Sequence, residues 1–159
     1  MALDLIRTIY EDKIPFHEIL GLRITSAEEG RASLEFEFQE RLVGNYRTQA
    51  LHGGVVAAVL DVVGSAAALT GFSRQRPPKG LGTIDLRTDY LMPARGRSFI
   101  ARGEVLRPGR SVAVTRMELL NENQDLLAVA TGTYRVSLAG SGDHDIMQGW
   151  LSDEDREGV

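Results

Sequence analysis

The pattern of apolar and polar residues along the chain predicts strands on both sides of one long apolar helix. Residues 32–38 alternate apolar and polar side chains, which is the period of a half-buried strand. Residues 54–71 form an apolar run that is too long for a strand and ends in glycine, so a helix is predicted there. The other predicted elements are a helix over 3–13, a further turn over 16–20, a loop over 39–50, and strands over 22–28, 31–38, 81–91, 98–106, 111–120 and 126–137.

Mostly antiparallel strands with a single hydrophobic helix predict an α+β fold in which the sheet curls around the helix. The segments between the later strands, such as Pro108-Gly109-Arg110, contain residues typical of turns. Residues 1–138 are therefore expected to form one domain that begins with a short helix. Residues 139–159 are rich in glycine and acidic side chains and are expected to form a tail.

The composition excludes several kinds of chemistry. The chain has 159 residues and no cysteine, so disulfides, zinc–thiolate sites and a cysteine nucleophile are ruled out. A net charge of −4 gives no reason to expect nucleic-acid binding. Because the sequence has no GxSxG, HExxH, P-loop or dinucleotide motif, no metal and no cofactor is expected. The N-terminus is unlike a secretory signal, and the apolar segment 55–69 is shorter than the ~20 residues of a membrane helix, so a cytoplasmic protein is expected.

The predicted long helix carries one charge, Asp61, in a run of otherwise small or apolar residues. Helical spacing places it on a face of small residues: Gly54, Ala57, Gly64 or Ser65, and Ala68. The bulky residues lie on the opposite face and are predicted to pack against the sheet, which leaves the small face open to a second subunit or a ligand. A buried carboxylate is costly unless it is paired or hydrogen-bonded, so Asp61 is either a structural residue or the functional group of a site.

The start of the same helix is a candidate donor site. His52-Gly53-Gly54 precedes it, and the first N–H groups of a helix are unpaired and carry a partial positive charge. Such groups can stabilise negative charge that develops on a carbonyl oxygen. Residues 53 and 61 are about 12 Å apart on a helix, too far to act on one carbonyl. Two antiparallel copies of the helix could bring the two together, which predicts a homodimer with its site at the interface.

Three segments share a pattern with a known enzyme family: Leu-His-Gly-Gly at 51–54, an aspartate nine residues after the histidine, and a Gly-Thr-Ile-Asp-Leu strand at 82–86 that leads to Tyr-Leu-Met-Pro-Ala at 90–94. Together they resemble the hotdog-fold acyl-CoA thioesterases of the phenylacetate-degradation (PaaI-like) type, over residues 19–136. The resemblance implies a hotdog fold, in which an antiparallel sheet wraps around a long central helix. It also implies hydrolysis of an acyl-CoA, with coenzyme A as part of the substrate rather than a cofactor.

Carried onto this sequence, the resemblance implies five catalytic residues: Asp61, Gly53, His52, Asn45 and Thr83. The first is the general base or nucleophile, and the backbone N–H of the second, from the other subunit, polarises the thioester carbonyl. The next two orient substrate or water, with Gln49 as the alternative to Asn45, and Thr83 helps to hold the attacking water. Without the resemblance, simpler roles stay open: His52 can cap the helix, and Thr83 can be an ordinary strand residue.

Six arginines lie between Pro93 and Met117, with Glu104 as the single acid among them. Arginine clusters suit the phosphates of coenzyme A, although a charge run is more commonly a solvated sheet face. Because they lie beside turn glycines and prolines, three arginines are expected to bind the CoA phosphates: Arg95, Arg97 and Arg110.

The leading hypothesis is a homo-oligomeric thioesterase, a dimer or a tetramer, that acts on a medium-chain, long-chain or aryl acyl-CoA. Neither nucleic acid nor membrane is an expected partner. Two alternatives stay open: an enoyl-CoA hydratase or dehydratase on the same fold, and a non-catalytic acyl-CoA binding module.

Overall fold

The computed structural model describes residues 3–72, 78–109 and 111–138, and these form an antiparallel sheet packed against one long helix. The helices are α1 (Leu3–Arg7), continued by a π-helical stretch (Thr8–Lys13), α2 (Pro15–Leu20) and α3 (Gly53–Thr70), with a 3-10 turn at Glu40–Leu42. The strands are β1 (Arg23–Glu28), β2 (Arg31–Glu37), β3 (Val43–Asn45), β4 (Ala50–Leu51), β5 (Pro78–Tyr90), β6 (Ser98–Pro108), β7 (Val112–Asn121) and β8 (Leu126–Leu138). The predicted α+β class is confirmed, and the predicted tail lies outside the described residues.

The main sheet has six strands in the order β1-β2-β6-β7-β8-β5, and every neighbouring pair is antiparallel. The strand that follows the long helix, β5, pairs with the last strand, β8, and forms one edge of the sheet. An edge strand presents a row of unpaired backbone groups along its outer side. β5 also exposes apolar area there, since Ile84 is 59% exposed.

The long helix α3 lies against the inner face of the sheet, and a glycine sets their distance. A Cβ at Gly103, on β6, would lie 2.8 Å from the main-chain oxygen of Val63, so a larger residue would push the strand away from the helix. In the core, Phe36 on β2 stacks against Phe99 on β6, with ring centroids 5.0 Å apart. By length and composition α3 could cross a membrane, but 67% of it is buried inside this fold, as in the core helix of a globular domain.

The prediction that the small face of α3 stays open is wrong for the second half of the helix. Ser65 is buried and its hydroxyl lies 3.0 Å from that of Tyr10. Gly64 is buried against Tyr134, and Ala68 is fully buried in a cluster with the same tyrosine. The physical reason is that the N-terminal segment and β8 each supply a large aromatic residue that fills the space above the small ones.

The prediction of a loop over residues 39–50 is also incomplete. Within it β3 pairs with β4 to make a small two-stranded sheet. Gly44 allows this pairing, since a Cβ there would lie 2.5 Å from the Cα of His52. The small sheet fixes the chain just before α3 and therefore positions the start of that helix.

Candidate active site

Asp61 is half-buried on α3, and its carboxylate faces the edge of the main sheet. The hydroxyl of Thr83, on the edge strand, donates a hydrogen bond to Asp61 Oδ1 at 2.9 Å. The hydroxyl of Tyr134, on β8, donates to the same oxygen at 3.1 Å and to the main-chain oxygen of Asp61 at 3.2 Å. The structure therefore brings together the predicted pair Asp61 and Thr83 and adds a tyrosine that the sequence analysis did not single out.

The carboxylate of Asp61 is held by neutral donors. Across residues 3–72, 78–109 and 111–138, no basic side chain forms an ion pair with it, and its Oδ2 accepts no hydrogen bond. A carboxylate with one oxygen fixed and the other free is suited to take a proton from water or to attack a carbonyl carbon.

The neutral state of Tyr134 follows from its surroundings. Its ring is fully buried, and burial raises the pKa of Tyr134, with a further increase from the negative charge and hydrogen bond of Asp61. The phenol therefore keeps its proton and acts as a donor. The sequence did contain a signal for Tyr134: it is a tyrosine in a predicted apolar strand, and the hydroxyl of a buried tyrosine needs a hydrogen-bond partner.

At the start of α3, His52 caps the helix as the simpler alternative predicted. Its Nδ1 accepts a hydrogen bond from the N–H of Gly54 at 2.9 Å, so the neutral imidazole carries its proton on the exposed Nε2. Gly53 is the first helical residue, and its N–H donates to no acceptor among the described residues. Tyr90, which no catalytic prediction included, donates its hydroxyl to the main-chain oxygen of Gly53 at 2.9 Å and so restrains the peptide between Gly53 and Gly54, next to the one that carries the Gly53 N–H.

A cavity of about 390 Å³ opens beside Gly53. Most of its lining is apolar, and the lining side chains include Leu51, Val56, Tyr90, Leu91, Met92 and Leu127. Leu91 and Met92 are about half exposed, so their apolar side chains are accessible at the cavity. The cavity is suited to a hydrocarbon chain whose polar end reaches the donor at the helix start.

The donor and the acid lie on the same helix but not at the same place. Gly53 and Asp61 are eight residues apart on α3, which corresponds to about 12 Å along the axis. A single chain therefore holds the two groups of the predicted reaction centre at separate positions, and completion of the centre by a second copy stays a prediction.

Of the two predicted amide residues, Asn45 is the last residue of β3 and Gln49 lies in the turn between β3 and β4. Asn45 Oδ1 accepts hydrogen bonds from the N–H groups of Arg47 and Thr48 at 3.1 and 3.3 Å. Gln49 has a left-handed backbone with φ of 52° and donates its side-chain amide to the oxygen of Tyr46 at 2.9 Å. Both amides stabilise the turn, and their contact with substrate stays a prediction.

The structure describes two of the three arginines that are predicted to bind phosphate. Arg95 and Arg97 are exposed and follow Ala94, which lines the cavity. The Nε of Arg97 lies 3.7 Å from Glu122 Oε1. Because the Arg97 side chain is 94% exposed, the guanidinium can turn toward an anion. Arg110 lies outside the described residues. Of the other arginines, Arg102 is paired with Glu118 on the outer face of the sheet.

Known proteins resemble this chain both in sequence and in fold. Residues 48–128 match the family model described as "Thioesterase superfamily". A medium/long-chain acyl-CoA thioesterase, YigI, of Salmonella typhimurium is 42% identical over 146 residues, which cover 85% of this chain and 94% of that protein. The YigI of Escherichia coli K12 matches with the same identity and coverage.

One solved structure supports the same assignment, and a second supports the fold. A protein of Shewanella oneidensis related to the thioesterase superfamily superposes with a TM-score of 0.74 at 38% identity, covering 85% of this chain and 95% of that one. The PaaI protein of the Escherichia coli phenylacetic acid degradation operon gives 0.73 at 21% identity, covering 84% and 91%, and supports the fold alone. Since the family model spans half of the chain and a 42% identical relative is covered almost end to end, this chain belongs to the thioesterase superfamily and is a thioester hydrolase.

Proposed function

We propose that this chain hydrolyses medium- to long-chain acyl-CoA thioesters to the free acid and coenzyme A. The observation that carries the proposal is the Asp61 carboxylate, held at the sheet edge by two neutral hydroxyls with one oxygen unoccupied among the described residues. The relatives named for this substrate class support the choice of acyl chain, as does the apolar cavity of about 390 Å³ beside Gly53.

In the proposed reaction the thioester oxygen accepts a hydrogen bond from the Gly53 N–H of a second copy of the chain, at the positive end of that copy's α3. Asp61 removes a proton from water as the water oxygen bonds to the carbonyl carbon. The carbonyl then re-forms as the carbon–sulfur bond breaks, and the coenzyme A thiolate takes the proton that Asp61 removed from water. In the other version, Asp61 attacks the carbon itself and forms a mixed anhydride that water hydrolyses. Incorporation of heavy oxygen from water into the Asp61 carboxylate in a single turnover distinguishes the two.

The proposal includes a homodimer built on β5. Antiparallel pairing of two β5 edges would continue the sheet across a two-fold axis and cover the exposed Ile84. Asp61 lies at that edge through its contact with Thr83, so a second copy would approach it there with its own helix start. A dimer is the smallest assembly that completes the centre, and a tetramer would be a pair of such dimers.

The remaining groups have supporting roles in this proposal. The Nε2–H of His52 and the amide of Asn45 or Gln49 would orient the substrate or the attacking water, and Thr83 would hold that water or the carboxylate. Arg95, Arg97 and Arg110 would bind the coenzyme A phosphates. We place the enzyme in the cytoplasm, because its substrate class carries coenzyme A and a chain without cysteine is compatible with a reducing compartment.

The test is a thiol-release assay with acyl-CoA substrates of increasing chain length and with aryl-CoAs. We expect kcat/KM to rise from short to medium and long chains, because each methylene buried in the cavity adds about 0.8 kcal/mol. Asp61→Asn should lower kcat by about 10³-fold while the protein stays folded. Glu118→Gln makes the same chemical change on the outer face of the sheet and should retain wild-type turnover.

Three outcomes would contradict the proposal. Wild-type turnover in Asp61→Asn would remove that residue from the mechanism. Tight acyl-CoA binding without thiol release would favour the binding module. Addition of water to an enoyl-CoA without thiol release would favour the hydratase.

A further inference from the structure

Tyr134 lies directly behind the reactive carboxylate and takes no chemical part in the hydrolysis. One hydroxyl contacts both Asp61 Oδ1, at 3.1 Å, and the main-chain oxygen of Asp61, at 3.2 Å. The carboxylate is thereby tied to its own peptide group, which restricts the side-chain torsions of Asp61 to one arrangement. The second donor to Oδ1, Thr83, reaches it at 2.9 Å from the edge strand, where the threonine is exposed.

Two glycines make room for the tyrosine. A Cβ at Gly64, three residues after Asp61 on α3, would collide with the Tyr134 hydroxyl and would lie 2.8 Å from Met117 Sδ. A Cβ at Gly132, on the tyrosine's own strand, would lie 2.8 Å from both a ring carbon and the hydroxyl oxygen. Because the ring is fully buried between these glycines, its hydroxyl has a fixed position relative to the helix.

The two hydroxyls also make the two carboxylate oxygens different. Tyr134 and Thr83 both donate to Oδ1, whereas Oδ2 accepts no hydrogen bond within the described parts of the chain. A carboxylate without these donors could rotate and exchange its oxygens. With them, the carboxylate keeps Oδ1 against the two hydroxyls and Oδ2 away from them.

We propose that Tyr134 is a positioning residue of the hydrolase, whose hydroxyl locks Asp61 Oδ1 so that Oδ2 meets the thioester or the attacking water. This inference rests on the proposed role of Asp61. The acceptor of this hydrogen bond is the reacting group itself, so its loss should reduce the rate without changing how substrate is held.

The test compares Tyr134→Phe with Tyr10→Phe. Each variant loses one buried hydroxyl that bonds to α3, but the Tyr10 hydroxyl lies 3.0 Å from Ser65 and does not contact the carboxylate. Tyr134→Phe should lower kcat by roughly 10- to 100-fold with KM within about 2-fold, while Tyr10→Phe keeps wild-type kcat. In an Asp61→Ala background, Tyr134→Phe should cause no further loss of kcat, because the carboxylate that the hydroxyl positions is already gone.

A spectroscopic measurement that leaves Tyr134 in place gives an independent readout. In enzyme labelled at the tyrosine Cζ carbons, the resonance of Tyr134 should shift in Asp61→Ala, and that of Tyr46 should not. Wild-type kcat in Tyr134→Phe, an equal loss in Tyr10→Phe, a full further loss in the Asp61→Ala background, or an unshifted resonance would each overturn the positioning role. Any of these four results would leave the proposed function intact as long as Asp61→Ala itself is inactive.

Discussion

Two buried tyrosines beside α3 make the stability of the fold sensitive to alkaline pH. Burial raises the pKa of Tyr10 to about 12, an effect that its hydrogen bond with Ser65 only partly opposes. Burial also raises the pKa of Tyr134, and the charge of Asp61 adds to that effect. The unfolded tyrosine has a pKa of about 10. The folded protein thus keeps these protons where the unfolded chain loses them, so the stabilisation is complete below about pH 10 and is lost as pH rises toward the folded values.

We therefore expect the free energy of unfolding of the wild type to fall above about pH 10, with about 1.4 kcal/mol of the loss coming from Tyr10 by about pH 11. Tyr10→Phe should lack the contribution of Tyr10 to this loss. The difference in the free energy of unfolding between wild type and variant should therefore narrow by about 1.4 kcal/mol between about pH 8 and about pH 11. Urea unfolding at both pH values measures it. The comparison cancels the pH-independent loss of the Ser65 hydrogen bond, and a constant gap would contradict the expectation.

At the scale of elements, the first residue of α3 is a position where the backbone N–H can be removed while the helix stays in place. Proline is tolerated at the first helical position, where it removes only the N–H, and His52 has the extended backbone, with ψ of 137°, that suits a residue before proline. Gly53→Pro should keep the helix and lower kcat/KM by about 10²- to 10³-fold, because the oxyanion donor is lost.

Gly53→Ala is the matched control for this prediction. It keeps the N–H, and its Cβ would lie 3.5 Å from the ring of Tyr90, an ordinary contact. The alanine variant should therefore retain activity to within about 3-fold, measured by thiol release with circular dichroism as the check on folding. Equal activity of the two variants would show that the Gly53 N–H does not contribute.

The regular elements could be predicted because their periods are local properties of the chain. The apolar run of α3 and the alternation in β2 are set by residues a few positions apart, and the structure has both elements within a residue of the predicted bounds. The pairing of β3 with β4 was missed because it involves few residues and depends on the close approach that Gly44 allows. Likewise, the closure of the second half of α3 depends on aromatic residues supplied from both ends of the chain.

The candidate site shows the same division. Asp61 stands out as the one charge in an apolar helix, and Thr83 was found only through the family resemblance. Tyr134 contacts Asp61 across 73 positions in sequence, and Tyr90 contacts Gly53 across 37. Both contacts depend on how β8 and β5 pack against α3, and no local pattern encodes that packing.

At the scale of the whole molecule, the separation of Gly53 and Asp61 gives a strict test of the shared reaction centre. In a dimer whose sites each take the acid from one protomer and the donor from the other, inactive variants can complement each other. A heterodimer of Asp61→Asn with Gly53→Pro contains one site with both groups intact and one site with neither. If each site lay within one chain, the same heterodimer would contain no intact site.

We therefore expect a mixture of the two inactive variants, after subunit exchange or co-expression with two affinity tags, to recover about a quarter of wild-type turnover, since about half of the dimers are mixed and half of their sites are intact. The purified heterodimer should reach about half. Mixing Asp61→Asn with the Asp61→Asn/Gly53→Pro double variant is the control, because no combination of those chains restores the acid. Mixed dimers that form normally by light scattering yet show only the summed residual activities would show that the donor and the acid do not form one site across the interface, and would leave β5 pairing as a structural contact alone.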